Sequence, residues 1–68
     1  MTPNLKFRFS VDLFTRRGDS NVFDVLVLET SAPTVELAWG QVEPQIPAGH
    51  RVFGWSAQDE AGNFVEVA

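Results

Sequence analysis

The chain contains no cysteine and no tyrosine, and it has only one histidine, one lysine and one methionine. Without cysteine it can form neither a disulfide nor a thiolate metal site. Small secreted domains usually depend on disulfides because their cores are thin, so this absence favours a reducing compartment. Residues 1–10, MTPNLKFRFS, lack the apolar stretch of a secretory leader. No run approaches the roughly 18 apolar residues of a membrane span. We therefore expect a cytoplasmic protein.

The side chains that usually perform catalysis are also scarce. His50, in the segment PAGHRV, has no second histidine nearby and no HExxH or CxxC spacing around it, so local sequence assembles neither a metal site nor a catalytic triad. Asp59 and Glu60 are neighbours on a polar turn, where adjacent side chains point apart. The five glycines form no GxGxxG motif and no P-loop. The sequence predicts a protein that is not an enzyme and that has no metal or cofactor site.

The length of 68 residues predicts a single domain, residues 1–68, with a small core that a partner or a second copy would help to stabilise. The net charge of −4 is distributed unevenly. Residues 1–28 carry four basic and three acidic groups, or +1, whereas residues 29–68 carry one basic and six acidic groups, or −5. An acidic half repels nucleic acid, and it suits either a basic protein surface or plain solubility.

Strict alternation of apolar and polar residues predicts a half-buried strand over residues 5–13. Residues 22–30 form a second apolar run, rich in β-branched side chains, with apolar residues on both faces. The polar segment TRRGDSN between the runs predicts a hairpin over residues 5–30. This segment contains Arg17-Gly18-Asp19, which is an integrin-binding signal in extracellular matrix proteins. Because nothing else in the sequence indicates export, we interpret it as a turn and expect no integrin binding.

A helix is predicted over about residues 32–43. Residues 30–34, TSAPT, indicate its start, since a Ser or Thr can cap the free amides and Pro33 is tolerated in the first turn. Gly40 weakens the helix, and Pro44 with Pro47 ends it. Its apolar stripe recurs at i, i+3, i+4 and i+7 and consists of Val35, Ala38, Trp39 and Val42.

Two shorter strands follow, over residues 51–57 and 64–67, and they predict a second hairpin over residues 51–67. Alternation places Phe53 and Trp55 on one face of the third strand. The order ββαββ predicts an α+β fold of two layers, an antiparallel sheet of three or four strands with one helix on one face. A small closed β-barrel is the alternative.

The register of the first hairpin has two solutions. With Gly18 and Asp19 as a two-residue type II′ turn, Phe14 faces Phe23. With a three-residue loop, Asp12 faces Asp24 instead, and this like-charge pair favours the first solution.

Either register leaves large apolar side chains of the second strand on the sheet face that one helix cannot cover. Such patches usually mark an interface, so we expect that face to bind another protein or a second copy in a homodimer. The predicted interface residues are Phe14, Phe23 and Trp55, with Glu36 and Glu43 on the helix as an alternative acidic surface.

Single-stranded nucleic acid is the alternative ligand, because Lys6, Arg8 and Phe14 alternate onto one face and Arg16 and Arg17 extend it. The net charge and the pI of about 4.6 favour a protein partner instead.

In size, acidity and element order the chain resembles phage-encoded inhibitors of bacterial defence, including anti-CRISPR proteins, although no motif carries the resemblance. That resemblance implies a phage or mobile-element protein that acts as a small inhibitor or adaptor by occupying a partner's surface. A structural or self-assembling small protein is the remaining alternative.

Overall fold

The computed structural model describes residues 4–65. Strands β1 (Leu5–Arg17) and β2 (Ser20–Ala32) precede helix α1 (Val35–Val42), a 3₁₀ turn (Glu43–Gln45) and strand β3 (Arg51–Gln58). The three strands form one open antiparallel sheet in the order β2-β1-β3. The α+β arrangement is confirmed. The barrel alternative is wrong, because β2 and β3 lie at opposite edges of the sheet and do not pair with each other.

The long hairpin adopts the register that avoids facing carboxylates. Phe14 pairs with Phe23, and the pairing continues without a break from Arg17↔Ser20 to Leu5↔Ala32. Gly18 has φ 61°, and no other residue type in the described range has a positive φ, so Asp19 is not left-handed. This combination is that of a type II′ turn with glycine at its first central position. The predicted interpretation of the RGD segment as a hairpin turn is confirmed.

Strand β3 departs from the predicted alternation. The pairing of β1 with β3 shifts between Asp12 and Leu13, where Asp12 pairs with Gly54 and Leu13 pairs with Val52. Phe53 is the extra residue of this bulge, and a bulge re-aims side chains relative to simple alternation. The prediction that Phe53 and Trp55 share a face is therefore wrong.

Helix α1 begins at Val35, after Pro33 and about three residues later than the predicted start. The hydroxyl of Thr34 accepts a hydrogen bond from the amide of Leu37 at 3.2 Å, which makes Thr34 the N-cap. The α-helix ends at Val42, and Pro44 lies in the 3₁₀ turn that follows. The helix is shorter than the predicted span 32–43, because the backbone of Ala32 still pairs in β2 and Thr34 is extended. In the part of the chain that is described, no helix has the length and apolar character needed to cross a bilayer.

The core lies between α1 and one face of the sheet. An eight-residue helix is about 12 Å long, whereas a 13-residue strand spans about 43 Å, so α1 covers only one end of the hairpin. Nearer the turn, the loop after α1 lies against the sheet, where Thr15 donates a hydrogen bond to the carbonyl of Gly49 at 3.1 Å. The buried residues are Phe7, Phe9, Val11, Leu13, Ala32, Val35, Ala38, Val42 and Ala57.

The predicted fourth strand is reduced to an isolated bridge between Gln58 and Phe64 among the described residues, and the amide of Val65 bonds to the carbonyl of Ala57 at 2.9 Å. Residues 66–67 of that prediction lie outside the described range. The four-strand and ββαββ details are thus not reproduced in residues 4–65.

Candidate interaction face

The sheet side opposite α1, which we call the open face, carries no helix of residues 4–65, and the loop after β3 borders it only at the end far from the turn, through Phe64. Alternation along β1 places its even-numbered residues there, and the pairing places Phe23, Val25 and Val27 of β2 beside them. All three of these β2 side chains are more than half exposed, at 64%, 60% and 56%. The prediction of an uncovered apolar face thus corresponds to a real surface.

Three phenylalanines, one from each strand, meet on the open face and form what we call the phenylalanine cluster. The ring centroids of Phe14 lie 6.4 Å from Phe23 and 6.0 Å from Phe53, and the rings of Phe23 and Phe53 meet edge to face at 5.6 Å. Aromatic pairs at these distances attract one another beyond their burial of area. Phe23 and Phe53 nevertheless remain 64% and 56% exposed, so more than half of each of these two side chains faces solvent although the three rings contact one another.

The apolar surface continues from the cluster along the sheet edge. Val25 and Val27 follow Phe23 at two-residue intervals on the same face of β2. Beyond Val27, a groove of about 330 Å³ reaches Phe64 and is lined on its polar side by Arg8, Ser10, Ser56 and Gln58. The result is one strip that runs most of the length of the hairpin, apolar at the turn end and mixed at the other.

Positive charge is concentrated on the same face. The register places four of the five Lys and Arg residues of the chain there, and the fifth, Arg17, lies beside the turn on the opposite alternation. Arg51 pairs across from Phe14, and Arg16 follows Phe14 by two residues, so two arginines flank the cluster in the sheet. Nε of Arg16 donates a hydrogen bond to the carbonyl of Gly18 in the turn, at 3.2 Å. The basic residues on the open face are Lys6, Arg8, Arg16 and Arg51, and the same face carries the carboxylates Asp12 and Glu29.

The cations at the two ends of the face differ in their partners. Arg8 donates from two nitrogens to one oxygen of Glu29, at 2.8 and 3.0 Å, and Lys6 lies 3.9 Å from a carboxylate oxygen of Glu60. Arg16 and Arg51 form no ion pair within residues 4–65. The end that carries the cluster is therefore the end whose positive charge is not neutralised by the described chain.

The structure does not bring all of the predicted interface residues together. Phe14 and Phe23 are in contact on the open face, but Trp55 lies on the helix-covered face, half-buried against Phe9 at 5.4 Å. Glu36 and Glu43 are exposed on the helix side, on the other side of the sheet from the cluster. They form a separate surface.

Phe53 is the member of the cluster that the sequence prediction missed. Its neighbour Gly54 was the available signal, since a glycine inside a strand often marks a bulge. A Cβ at Gly54 would lie 3.6 Å from a carboxylate oxygen of Asp12, an ordinary contact. The glycine therefore eases the bulge and is not required by crowding.

The candidate catalytic and metal-binding groups were also located in the structure. No cluster of three or more His, Asp or Glu side chains could hold a metal ion in this range. His50 is half-buried, and its Nδ1 atom is enclosed without a hydrogen-bond partner. A groove of about 410 Å³ at the end of the sheet far from the turn is lined mainly by polar residues, Arg8, Glu29, Thr30 and Gln58 among them. The expectation of a protein that is not an enzyme stays a prediction.

Comparison with protein-family models, with curated proteins and with solved structures found no match for this chain. The open face is therefore the feature from which a function can be argued.

Proposed function

We propose that this chain is a non-catalytic protein-interaction module whose open face binds another protein, as a small inhibitor or adaptor does. The observation that carries the proposal is the phenylalanine cluster. Its three rings come from three strands and contact one another, yet more than half of the surface of the Phe23 and Phe53 side chains is exposed to solvent. Contiguous exposed apolar surface of this kind is uncommon on soluble monomers and usually marks an interaction site. Large aromatic side chains also contribute most to interface energetics.

The charges around the cluster specify the chemistry of the partner. Arg16 and Arg51 flank the cluster in the sheet and have no carboxylate partner within residues 4–65. A partner surface with an apolar centre would cover the phenylalanine cluster, and carboxylates at its rim would pair with the two arginines, since rim charges guide association and set orientation. We infer an acidic-rimmed protein surface as the ligand, which is the reverse of the basic partner that the chain's net charge alone would suggest.

The test uses two substitutions that remove similar exposed apolar surface from opposite faces. Phe53, 56% exposed, lies in the cluster, and Leu37, 58% exposed, lies on α1. We expect a partner captured from the source cell and then purified to bind the wild type and Leu37→Ser equally. Its affinity for Phe53→Ser should fall by at least about tenfold, as loss of a central aromatic anchor does.

Both variants should remain folded, which circular dichroism checks before binding is measured. Arg51→Gln should lower mainly the association rate and reduce its dependence on salt. Equal binding by wild type and Phe53→Ser, or equal losses in Phe53→Ser and Leu37→Ser, would contradict the proposal.

Single-stranded nucleic acid is the second candidate, favoured by one observation: four of the five basic residues share a face with three phenylalanines. Aromatic and basic sheet faces can stack bases. Two features favour protein instead. Arg8 and Lys6 are already opposite Glu29 and Glu60. The rings also tilt against one another by 41° to 81° and offer no row of parallel stacking faces.

Titration with labelled oligo(dT) and oligo(U) at low salt separates the two candidates. The protein-binding proposal predicts no saturable binding. Saturable, salt-sensitive binding that weakens in both Phe23→Ser and Arg51→Gln would replace it with the nucleic-acid function.

A further inference from the structure

The outer edge of β2 is a long strand edge that nothing in residues 4–65 covers. β2 is the terminal strand of the sheet, and its 13 residues pair with β1 without a bulge. Natural proteins usually protect such edges with Pro, Lys, a bulge or a covering segment. β2 has no Pro, Lys or bulge, and its one charged side chain on the helix-side alternation is the exposed Asp24. The edge of β3, in contrast, is met by the bridge at Phe64. The outer edge of β2 is therefore available for pairing with another strand.

The hairpin register shows which backbone groups this edge offers. Arg17 and Ser20 close the two-residue turn, so they form a hydrogen-bonded pair, and such pairs alternate along an antiparallel ladder. The amides and carbonyls of Ser20 and every second residue after it consequently point to β1. Those that point outward belong to Phe23, Val25, Val27 and Glu29, whose side chains are the ones on the open face.

We propose that a second copy of this chain occupies the edge, with the two β2 strands antiparallel about a two-fold axis at Val25. An axis perpendicular to the sheet keeps both helices on one side and joins the two sheets into one of six strands. The two open faces then become a single continuous face on the other side.

The sequence of β2 is self-complementary in this register. Val25 faces Val25 of the second copy, Phe23 faces Val27, and Asn21 faces Glu29, because the numbers of each facing pair sum to 50. Every apolar residue of the open-face edge thus meets an apolar residue, and no two carboxylates are directly opposite, which cross-strand pairing requires.

The two neighbouring symmetric registers are worse. An axis at Leu26 would place Phe23 opposite Glu29, and an axis at Asp24 would place two Asp24 carboxylates directly opposite each other. Shifting one β2 strand by a single residue relative to the other would pair each open-face side chain with a helix-side one. This match of a strand with itself is what favours a second copy over a strand of an unrelated protein.

The helices do not obstruct the pairing. α1 packs at the end of the hairpin far from the turn, near the buried Ala32, while the turn end of β2 has no helix above it. Antiparallel pairing lays the covered end of one copy beside the uncovered end of the other. The dimer would double the apolar strip that the proposed function uses, but its formation does not depend on that function.

The decisive test uses the prediction that Val25 of one copy faces Val25 of the other across the two-fold axis. The measurement is sedimentation velocity of the purified full chain over a dilution series. The wild type should dimerise, and Val25→Lys and Val25→Asp should each raise the dissociation constant by about tenfold or more, because two like charges then face each other. A mixture of the two variants should form a heterodimer about as strong as the wild-type dimer. Val25→Thr, which keeps the β-branched shape, is the control and should still dimerise.

Two results would overturn the inference. One is a wild type that stays monomeric at the highest concentration reached. The other is a dimer that Val25→Lys leaves intact, or that the mixture of the Lys and Asp variants fails to restore, in protein whose circular dichroism is native. Loss of the dimer in Phe53→Ser but not in Val25→Lys would assign self-association to the phenylalanine cluster and not to the edge. Because these measurements contain no partner protein, their failure leaves the proposed function separately testable.

Discussion

The indole rings of Trp39 and Trp55 stack face to face, with centroids 4.5 Å apart and ring planes 8° from parallel. Trp39 belongs to α1 and Trp55 to β3, and both rings contact Phe9 of β1, at 5.8 and 5.4 Å. One aromatic group thus joins the helix to two strands, although the helix packs mainly against the hairpin. In a chain with so small a core, this stack should contribute strongly to stability.

Removing either ring of the stack should therefore destabilise the fold. We expect Trp39→Ala and Trp55→Ala each to lower the free energy of unfolding by about 3 kcal/mol, the lower end for aromatic truncation because both rings are half-buried. The double variant should cost less than the sum, since the first loss already removes their mutual contact. Urea unfolding followed by circular dichroism measures all three. Strictly additive losses would show that the stacked contact itself contributes nothing.

Two glycine substitutions test the turn geometry. Gly18 has φ 61° and Gly40 lies inside α1, and an added Cβ would meet nothing within 4 Å at either site. Only backbone conformation therefore distinguishes them. Gly18→Ala should destabilise by about 1 kcal/mol because the left-handed region disfavours a Cβ. Gly40→Ala should stabilise by about 0.5 to 1 kcal/mol through helix propensity. Thermal unfolding of both variants is the measurement, and stabilisation by Gly18→Ala would contradict the positive φ of the turn.

The helix cap gives a third prediction. Thr34→Ala removes the acceptor for the Leu37 amide and should cost about 1 kcal/mol in the free energy of unfolding. Thr34→Ser retains a hydroxyl at the same place and should remain within about 0.5 kcal/mol of the wild type. If both substitutions have the same effect, the hydrogen bond is not what stabilises the start of α1.

The loop after β3 depends on one carboxylate. Oδ1 of Asp59 accepts hydrogen bonds from the amides of Ala61 and Asn63, at 3.0 and 2.9 Å. We expect Asp59→Ala to destabilise by about 1.5 kcal/mol, as loss of hydrogen bonds to a charged acceptor does. The adjacent Glu60→Ala is the matched control and should change stability by less than about 0.5 kcal/mol, because its contact with Lys6 is exposed and long, at 3.9 Å. Hydrogen exchange of the Val65 amide should accelerate only in Asp59→Ala.

The sequence by itself determined the local features of this protein. Features that neighbouring residues or one hairpin decide could be predicted. They are the alternation from Leu5 to Leu13, the glycine of the turn, the register that avoids a like-charge pair, and the helix stripe of Val35, Ala38, Trp39 and Val42. The same reasoning predicts Phe14 and Phe23 on the open face, where they are in contact.

Only the tertiary structure decided how β3 is divided between the two faces and where the sheet ends. Gly54 indicates that a bulge could occur, but only pairing with a strand about 40 residues earlier decides that Phe53 is the extra residue. For that reason Trp55 stacks on Trp39 and does not lie at the predicted interface, whereas Phe53 lies beside Phe14 and Phe23. The free edge of β2 likewise follows from the order β2-β1-β3, because long-range pairing determines which strand remains outermost.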